Sequence, residues 1–218
     1  MEEKKNKDLI KHLEYGTRVL TPTLKKALES IDRMDFVEED YKPEAYNDHP
    51  LPIGFGQTIS QPTVVVMMLS LLSPEKGDRI LDVGCGSGWT TVLLGYLVGK
   101  EGEVVAIDVI EEFVELTRNR AAAYQEKAPN IGVFHSSEED AIYSDRFDKI
   151  LVSASFSSET DIPEKMKESL KEGGRMVAPV GHDLVVFKKE DGLLVEDKKY
   201  SDMVSFVPYI RENPNIDL

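Results

Sequence analysis

The chain has little of what would tie it to a disulfide scaffold, a metal or a membrane. It holds a single cysteine, Cys85, so no internal disulfide can form, which suits a reducing compartment. Its four histidines and its acidic residues show no metal-ligand spacing, so no metal is expected. No run of about eighteen apolar residues occurs, so no membrane span is expected. The opening MEEKKNKDLIKHLE lacks the apolar core of a signal peptide. Positive charge is the scarcer sign, with 26 Lys and Arg against 40 Asp and Glu and a net charge of −14. Such a balance favours solubility and argues against a general binder of nucleic-acid backbones, which needs a basic surface to displace counterions. A cytoplasmic protein is the default expectation. The oligomeric state is not written in the sequence, and a monomer is the default.

What is present is an ordinary globular composition, 41% hydrophobic and 30% charged over 218 residues, enough for one sizeable core. Residues 5–14 and 23–32 read as short helices. In the second, Leu24, Ala27, Leu28 and Ile31 fall at helical spacing, and Thr21-Pro22 supplies a start signal. Pro43, Pro50, Pro52, Gly54 and Gly56 predict an irregular loop over 40–57. Pro62 then opens a buried helix over 63–72. From Arg79 onward strands and helices alternate. Strands are predicted at 80–83, 104–107, 131–134, 149–152 and 175–179, and helices at 89–98, 111–124 and 164–170. That pattern predicts an α/β fold: a Rossmann-like, mostly parallel sheet with helices on both faces. Strands at 184–188, 193–197 and 203–207, the first two joined through Glu190-Asp191-Gly192, predict an antiparallel C-terminal edge. The expected division is a helical and loop extension over residues 1–56, packed on a single α/β domain over 57–218.

The stretch LDVGCGSGW, residues 81–89, places Gly84, Gly86 and Gly88 between a strand and a helix. A tight strand-to-helix turn needs residues without a Cβ, for backbone freedom and for close ligand approach. The spacing is G-x-G-x-G, unlike the G-x-G-x-x-G of dinucleotide enzymes. Asp108 ends the next strand, 24 residues after Gly84, where a carboxylate can accept from both hydroxyls of a ribose. Asp82 either organises the loop or receives an ammonium group through water. Together with GGRMVAPVG at 173–181, the set resembles the class I methyltransferase pattern. That resemblance implies S-adenosyl-L-methionine as cofactor and S-adenosyl-L-homocysteine as product. Cys85 lies inside the turn and reads as a small packing residue.

The segment PLPIGFGQTISQP, residues 50–62, is the most specific in the chain. It closely resembles the signature of protein-L-isoaspartate (D-aspartate) O-methyltransferases. RVLTPTLKKALESIDRMDFV at 18–37 is similar to that family's N-terminal helix and arginine-containing link. DRFDKI at 145–150, Ile162-Pro163 and FVPY at 206–209 extend the resemblance over roughly residues 15–210. It implies methylation of the free carboxylate of L-isoaspartyl or D-aspartyl residues in damaged proteins or peptides. It also implies that Ser60 is the active-site serine. Gln57, Thr58, Ile59 and Ser60 would border the cofactor with Asp82, Gly84, Cys85, Gly86, Gly88, Asp108 and Val109. Ile53, Gly54, Ser60 and Pro208 would meet the substrate. A carboxylate with a pKa of about 4 is already ionised at neutral pH, so the reaction needs no general base. Ser60 would then orient the carboxylate rather than attack it. Alternatively, it caps the helix that Pro62 opens.

The chain departs from the family pattern at several places. Gly-Asp-Gly after the third strand is replaced by His135-Ser136-Ser137, so Ser136, Ser137 or Glu138 is expected to take over contacts to the adenine. Val65 stands for a histidine, Ser169-Leu170 for a glutamine-leucine pair, and His182-Asp183 for a longer loop with its glutamine. Trp89 packs against either the cofactor or the core. His12 is expected in solvent, and His49 either at the surface or beside the peptide site. These departures leave two alternatives open: a same-fold enzyme for another carboxylate, peptide or nucleic acid, or a cofactor-binding protein without transferase activity.

Overall fold

The computed structural model describes residues 2–17, 19–138, 142–143, 146–202 and 205–210. The N-terminal part begins with α1 (Glu2–Thr17) and α2 (Pro22–Ser30). Thr21 caps α2, its hydroxyl accepting from the Leu24 amide at 3.2 Å, with Pro22 in the first turn where no amide is missed. Two 3-10 turns follow, Arg33–Phe36 and Glu39–Glu44.

Residues 51–59 correct the expectation of an irregular loop. They form a hairpin of β1 (Leu51–Gly54) and β2 (Gln57–Ile59). Gly54, Phe55 and Gly56 all take positive φ, at 95°, 51° and 69°, and so reverse the chain tightly. Leu51, Ile53 and Ile59 turn inward, whereas Pro52 and Thr58 face out. The glycines and prolines that suggested an irregular loop are the means of making this turn. The expected boundary between residues 56 and 57 falls within it, and one core packs Leu9, Leu13 and Leu28 with Val66, Leu69 and Leu94.

Helix α3 (Pro62–Leu72) leads into the alternating part: β3 (Arg79–Val83), α4 (Trp89–Val98), β4 (Glu103–Asp108), α5 (Glu111–Ala123), β5 (Ile131–His135), β6 (Phe147–Val152), α6 (Glu164–Ser169), β7 (Leu170–Val180), β8 (Asp183–Glu190) and β9 (Leu193–Tyr200). They build a seven-stranded sheet in the order β5-β4-β3-β6-β7-β8-β9. It is parallel from β5 to β7 and antiparallel at β8 and β9, as the alternation predicted. Asp191 and Gly192, with φ of 52° and 78°, make the two-residue turn between β8 and β9.

The period of two divides the core. Ile80, Leu151 and Val177 point to the face covered by α1–α4, while Leu81, Ile150, Val152, Met176 and Ala178 point to the other, with Met166 of α6. Of the strand expected at 203–207, residues 203–204 lie outside the described residues, and 205–207 form no strand. Pro208 instead makes an isolated parallel bridge with Ser155. No helix among the described residues is long and apolar enough to cross a membrane. Strand β3 has β4 on one side and β6 on the other, so the chain order reverses there. A crevice opens at such a switch point, at the carboxyl ends of the strands.

Candidate active site

The turn after β3 sits in that crevice. Gly84, Gly86 and Gly88 have φ of 81°, 50° and 84°, a region that side chains disfavour. A Cβ on Gly86 would stand 3.3 Å from Ile53 of the hairpin, and one on Gly88 would stand 3.0 Å from the Thr117 hydroxyl oxygen. The turn is held on several sides. The Gly84 and Cys85 amides donate to the Ile107 carbonyl, the Gly86 amide to Asp108 Oδ2 at 2.9 Å, Thr117 Oγ1 to the Gly86 carbonyl, and Arg120 to the Ser87 carbonyl. The N-terminus of α4 follows, so the positive end of the helix dipole faces the crevice.

Asp108 ends β4, buried. Its Oδ2 accepts from Gly86 and its Oδ1 from the Ile110 amide at 3.1 Å, leaving each oxygen further lone pairs for a hydroxyl. Burial pushes its pKa up, against the pull of these amides. Asp82 lies beneath, fully buried. Its Oδ2 accepts from Thr91 Oγ1 at 2.6 Å, and Oδ1 has no partner among the described residues. Burial raises its pKa to about 7, with the nearby Asp108 adding to the rise. Burial likewise pushes the Cys85 thiol well above its usual range, which makes it a packing residue rather than a nucleophile.

The β1–β2 hairpin closes the opposite side, and Phe55 meets Phe113 of α5 edge-on at 5.5 Å between ring centres. The cavity between them is about 230 Å³. Of the residues expected around cofactor and substrate, Ile53, Gln57, Thr58, Ile59, Ser60, Gly84, Cys85, Gly86, Asp108, Val109, Ser136 and Pro208 line it. Gly54, Asp82, Gly88, Trp89 and Ser137 do not. Gly54 is in the hairpin turn, Asp82 is under the floor, and Gly88 precedes α4. Glu138 forms the end of a 3-10 turn, and its side chain lies outside the described residues.

Of the two places open to Trp89, the cofactor side and the core, it takes the core. Its ring turns into the core, 2% exposed, with the Arg33 guanidinium 5.4 Å from its centre. Thr90, the next residue, lines the cavity in its place. His49 is also outside the lining; its ring contacts the Pro50 carbonyl and Glu44. His12 is exposed, as expected, and its Nε2 lies 3.3 Å from Asp48 Oδ2.

Ser60 does not cap α3. Gln61 occupies the cap position, and the cap comes from Asp48, whose carboxylate accepts from the Thr63 amide at 2.9 Å and the Thr63 hydroxyl at 2.6 Å. The Ser60 hydroxyl is thereby released from that duty. Among the described residues lining the cavity there is no histidine, and Asp108 is the one carboxylate, so nothing there forms a serine–histidine pair.

At the far wall, His135 pairs in register with Asp108. The Ser137 amide donates to His135 Nδ1 at 3.1 Å, so Nδ1 accepts and the proton sits on Nε2, which donates to the Val109 carbonyl at 3.0 Å. The ring thus joins the end of β4 to the 3-10 turn that carries Ser136 into the cavity. Sequence reasoning missed Phe55, Phe113, Thr90, Ser153 and Ala154 of the lining. The last two follow β6, and only the sheet order reveals that β6 borders β3.

The residues present fit S-adenosyl-L-methionine. A Cβ-free cradle at Gly84 and Gly86 admits close approach, Asp108 offers acceptors at the end of β4, and Asp82 Oδ1 is a buried acceptor without a partner among the described residues. Comparison with known proteins agrees. The family model of protein-L-isoaspartate(D-aspartate) O-methyltransferase matches residues 3–213. The protein-L-isoaspartate O-methyltransferase 2 of Archaeoglobus fulgidus is 40% identical over 189 residues, covering 84% of this chain and 83% of that one. The protein-L-isoaspartate O-methyltransferase of Methanothrix thermoacetophila is 40% identical over 192 residues, covering 85% and 86%. A Plasmodium falciparum structure of that description, in complex with S-adenosyl-L-homocysteine, shares the fold at a TM-score of 0.79 and 24% identity, covering 95% and 99% of the two chains. By a family model that matches nearly its whole length and by relatives 40% identical to it, the chain belongs to the protein-L-isoaspartate (D-aspartate) O-methyltransferase family.

Proposed function

We propose that the chain methylates the free carboxylate of L-isoaspartyl and D-aspartyl residues in damaged proteins or peptides, using S-adenosyl-L-methionine, and so begins their repair. The observation that carries this is the placement of Ser60, freed from helix capping, in the same cavity as the glycine turn. When bound, the cofactor supplies an electrophilic methyl group on a positively charged sulfur. The acceptor carboxylate is already ionised at neutral pH, so no residue of the chain would have to take up a proton. The protein therefore needs to hold, align and keep dry rather than to remove a proton.

Ser60 donates one hydrogen bond to the carboxylate and fixes its direction. Asp108 holds the ribose hydroxyls, Ser136 faces the adenine, and Phe55 with Phe113 keeps water from the reacting centre. Ile53 and Pro208 border the entering peptide. The proposal includes a cytoplasmic setting, which the buried, unpaired Cys85 suits.

The test is transfer of labelled methyl to an isoaspartyl peptide against the same peptide with ordinary aspartate. Label on the isoaspartyl form alone is expected; equal labelling, or none on either, would overturn the assignment. Ser60→Ala should lower kcat about tenfold to a hundredfold, the cost of a lost orienting contact. Its affinity for S-adenosyl-L-homocysteine, measured by calorimetry, should hold.

A further inference from the structure

Arg33 is 1% exposed, an unusual place for a cation. Among the described residues no carboxylate is hydrogen-bonded to it. Main-chain carbonyls take its hydrogen bonds instead, and the Asp48 carboxylate lies near enough to favour its charge. Nη1 donates to the Ala45 carbonyl at 2.6 Å, and Nη2 donates to the carbonyls of His49 and Ser60, both at 3.2 Å. His49 stands just before the β1–β2 hairpin and Ser60 just after it. One nitrogen thus spans the open end of the hairpin. The central carbon of the same guanidinium lies 5.4 Å over the ring centre of Trp89, the first residue of α4, directly after the glycine turn. The side chain therefore touches both walls of the cavity from behind without lining it.

We propose that Arg33 is a positioning residue for methyl transfer, setting the pose of Ser60 through its main-chain carbonyl while bracing the hairpin against the first turn of α4. The inference rests on the reading of Ser60 as the group that orients the substrate carboxylate. The planar fork matters here. Three carbonyls accept from the two terminal nitrogens of a planar group that also lies over an indole ring, and a lysine ammonium offers the charge without that shape. A displaced Ser60 carbonyl rotates the serine backbone and moves its hydroxyl off line with the methyl group. Misplacement of a reacting partner by about 1 Å can cost a hundredfold in rate.

The experiment uses the full chain with Arg33→Lys and Arg33→Met, each alone and combined with Ser60→Ala. It reads kcat and KM on an isoaspartyl peptide and the dissociation constant of S-adenosyl-L-homocysteine. Arg33→Lys is expected to lower kcat about tenfold and Arg33→Met further, with S-adenosyl-L-homocysteine bound nearly as in the parent protein. In the Ser60→Ala background either change should have little further effect on kcat, because the group that Arg33 positions is gone. A role in folding alone gives losses that multiply, and that result overturns the proposal, as does a parental kcat in Arg33→Lys. If Arg33→Met does not fold, Arg33→Lys carries the same cycle. If Ser60→Ala itself keeps full turnover, the reading of Ser60 fails; a slow Ser60→Ala with multiplying losses sinks the role of Arg33 alone.

Discussion

Replacing Asp82 with asparagine probes the electrostatics beneath the cofactor turn. The carboxyl is fully buried, receives one hydrogen bond from Thr91, and has its pKa raised from 3.8 to about 7, first by burial and then by the neighbouring Asp108. A carboxyl whose pKa is higher folded than unfolded binds its proton more tightly in the folded state. Stability from this group is therefore complete below pH 3.8 and falls as pH rises towards 7, after which it stays level. At 1.36 kcal/mol for each tenfold change in proton affinity, the rise from 3.8 to about 7 makes the loss about 4 kcal/mol. The asparagine amide keeps an acceptor for Thr91 and has nothing to ionise. Urea unfolding of both proteins at pH 5, 6, 7 and 8 gives the comparison. The parent should lose stability across that range more steeply than Asp82→Asn, and the variant should be the more stable of the two at pH 8. Parallel slopes would refute the reasoning, since they would mean that Asp82 is ionised in the folded protein without cost. A ligand ammonium reaching Oδ1 would favour the ionised form, so binding below pH 7 should release protons, read as a buffer-dependent heat in calorimetry.

Two further outcomes follow from the contacts around the cavity. Asp48→Ala removes the cap of α3 and should cost about 1 kcal/mol, read as a lower thermal midpoint, with most of the turnover retained; an unchanged midpoint would mean that the helix start needs no cap. His135→Ala cuts the links from the 3-10 turn to the end of β4 and should weaken binding of S-adenosyl-L-homocysteine by about threefold to tenfold, in line with one or two lost hydrogen bonds, while kcat at saturating cofactor changes little.

The alternation of strands and helices, the glycine turn and the aspartate ending β4 were legible along the chain because each depends on residues close in sequence. Period-two and helical patterns reflect which face is buried, and a turn with φ near 80° at Gly84 and Gly88 must be glycine whatever surrounds it. The family was legible for the same reason, since its signature around Ser60 is one continuous segment. The hairpin at 51–59 was hidden because its prolines and glycines are the residues of loops as well as of tight turns.

Other features depended on tertiary structure alone. Trp89 turns into the core, where the Arg33 guanidinium lies over its ring from a segment 56 positions earlier, and Thr90 faces the cavity. That Asp48 rather than Ser60 caps α3 depends on how the loop before the hairpin folds back on Thr63. Ser153 and Ala154 became part of the site only when β6 took its place beside β3. Each of these contacts is a choice among partners distant in sequence, and only packing of the whole core selects between them.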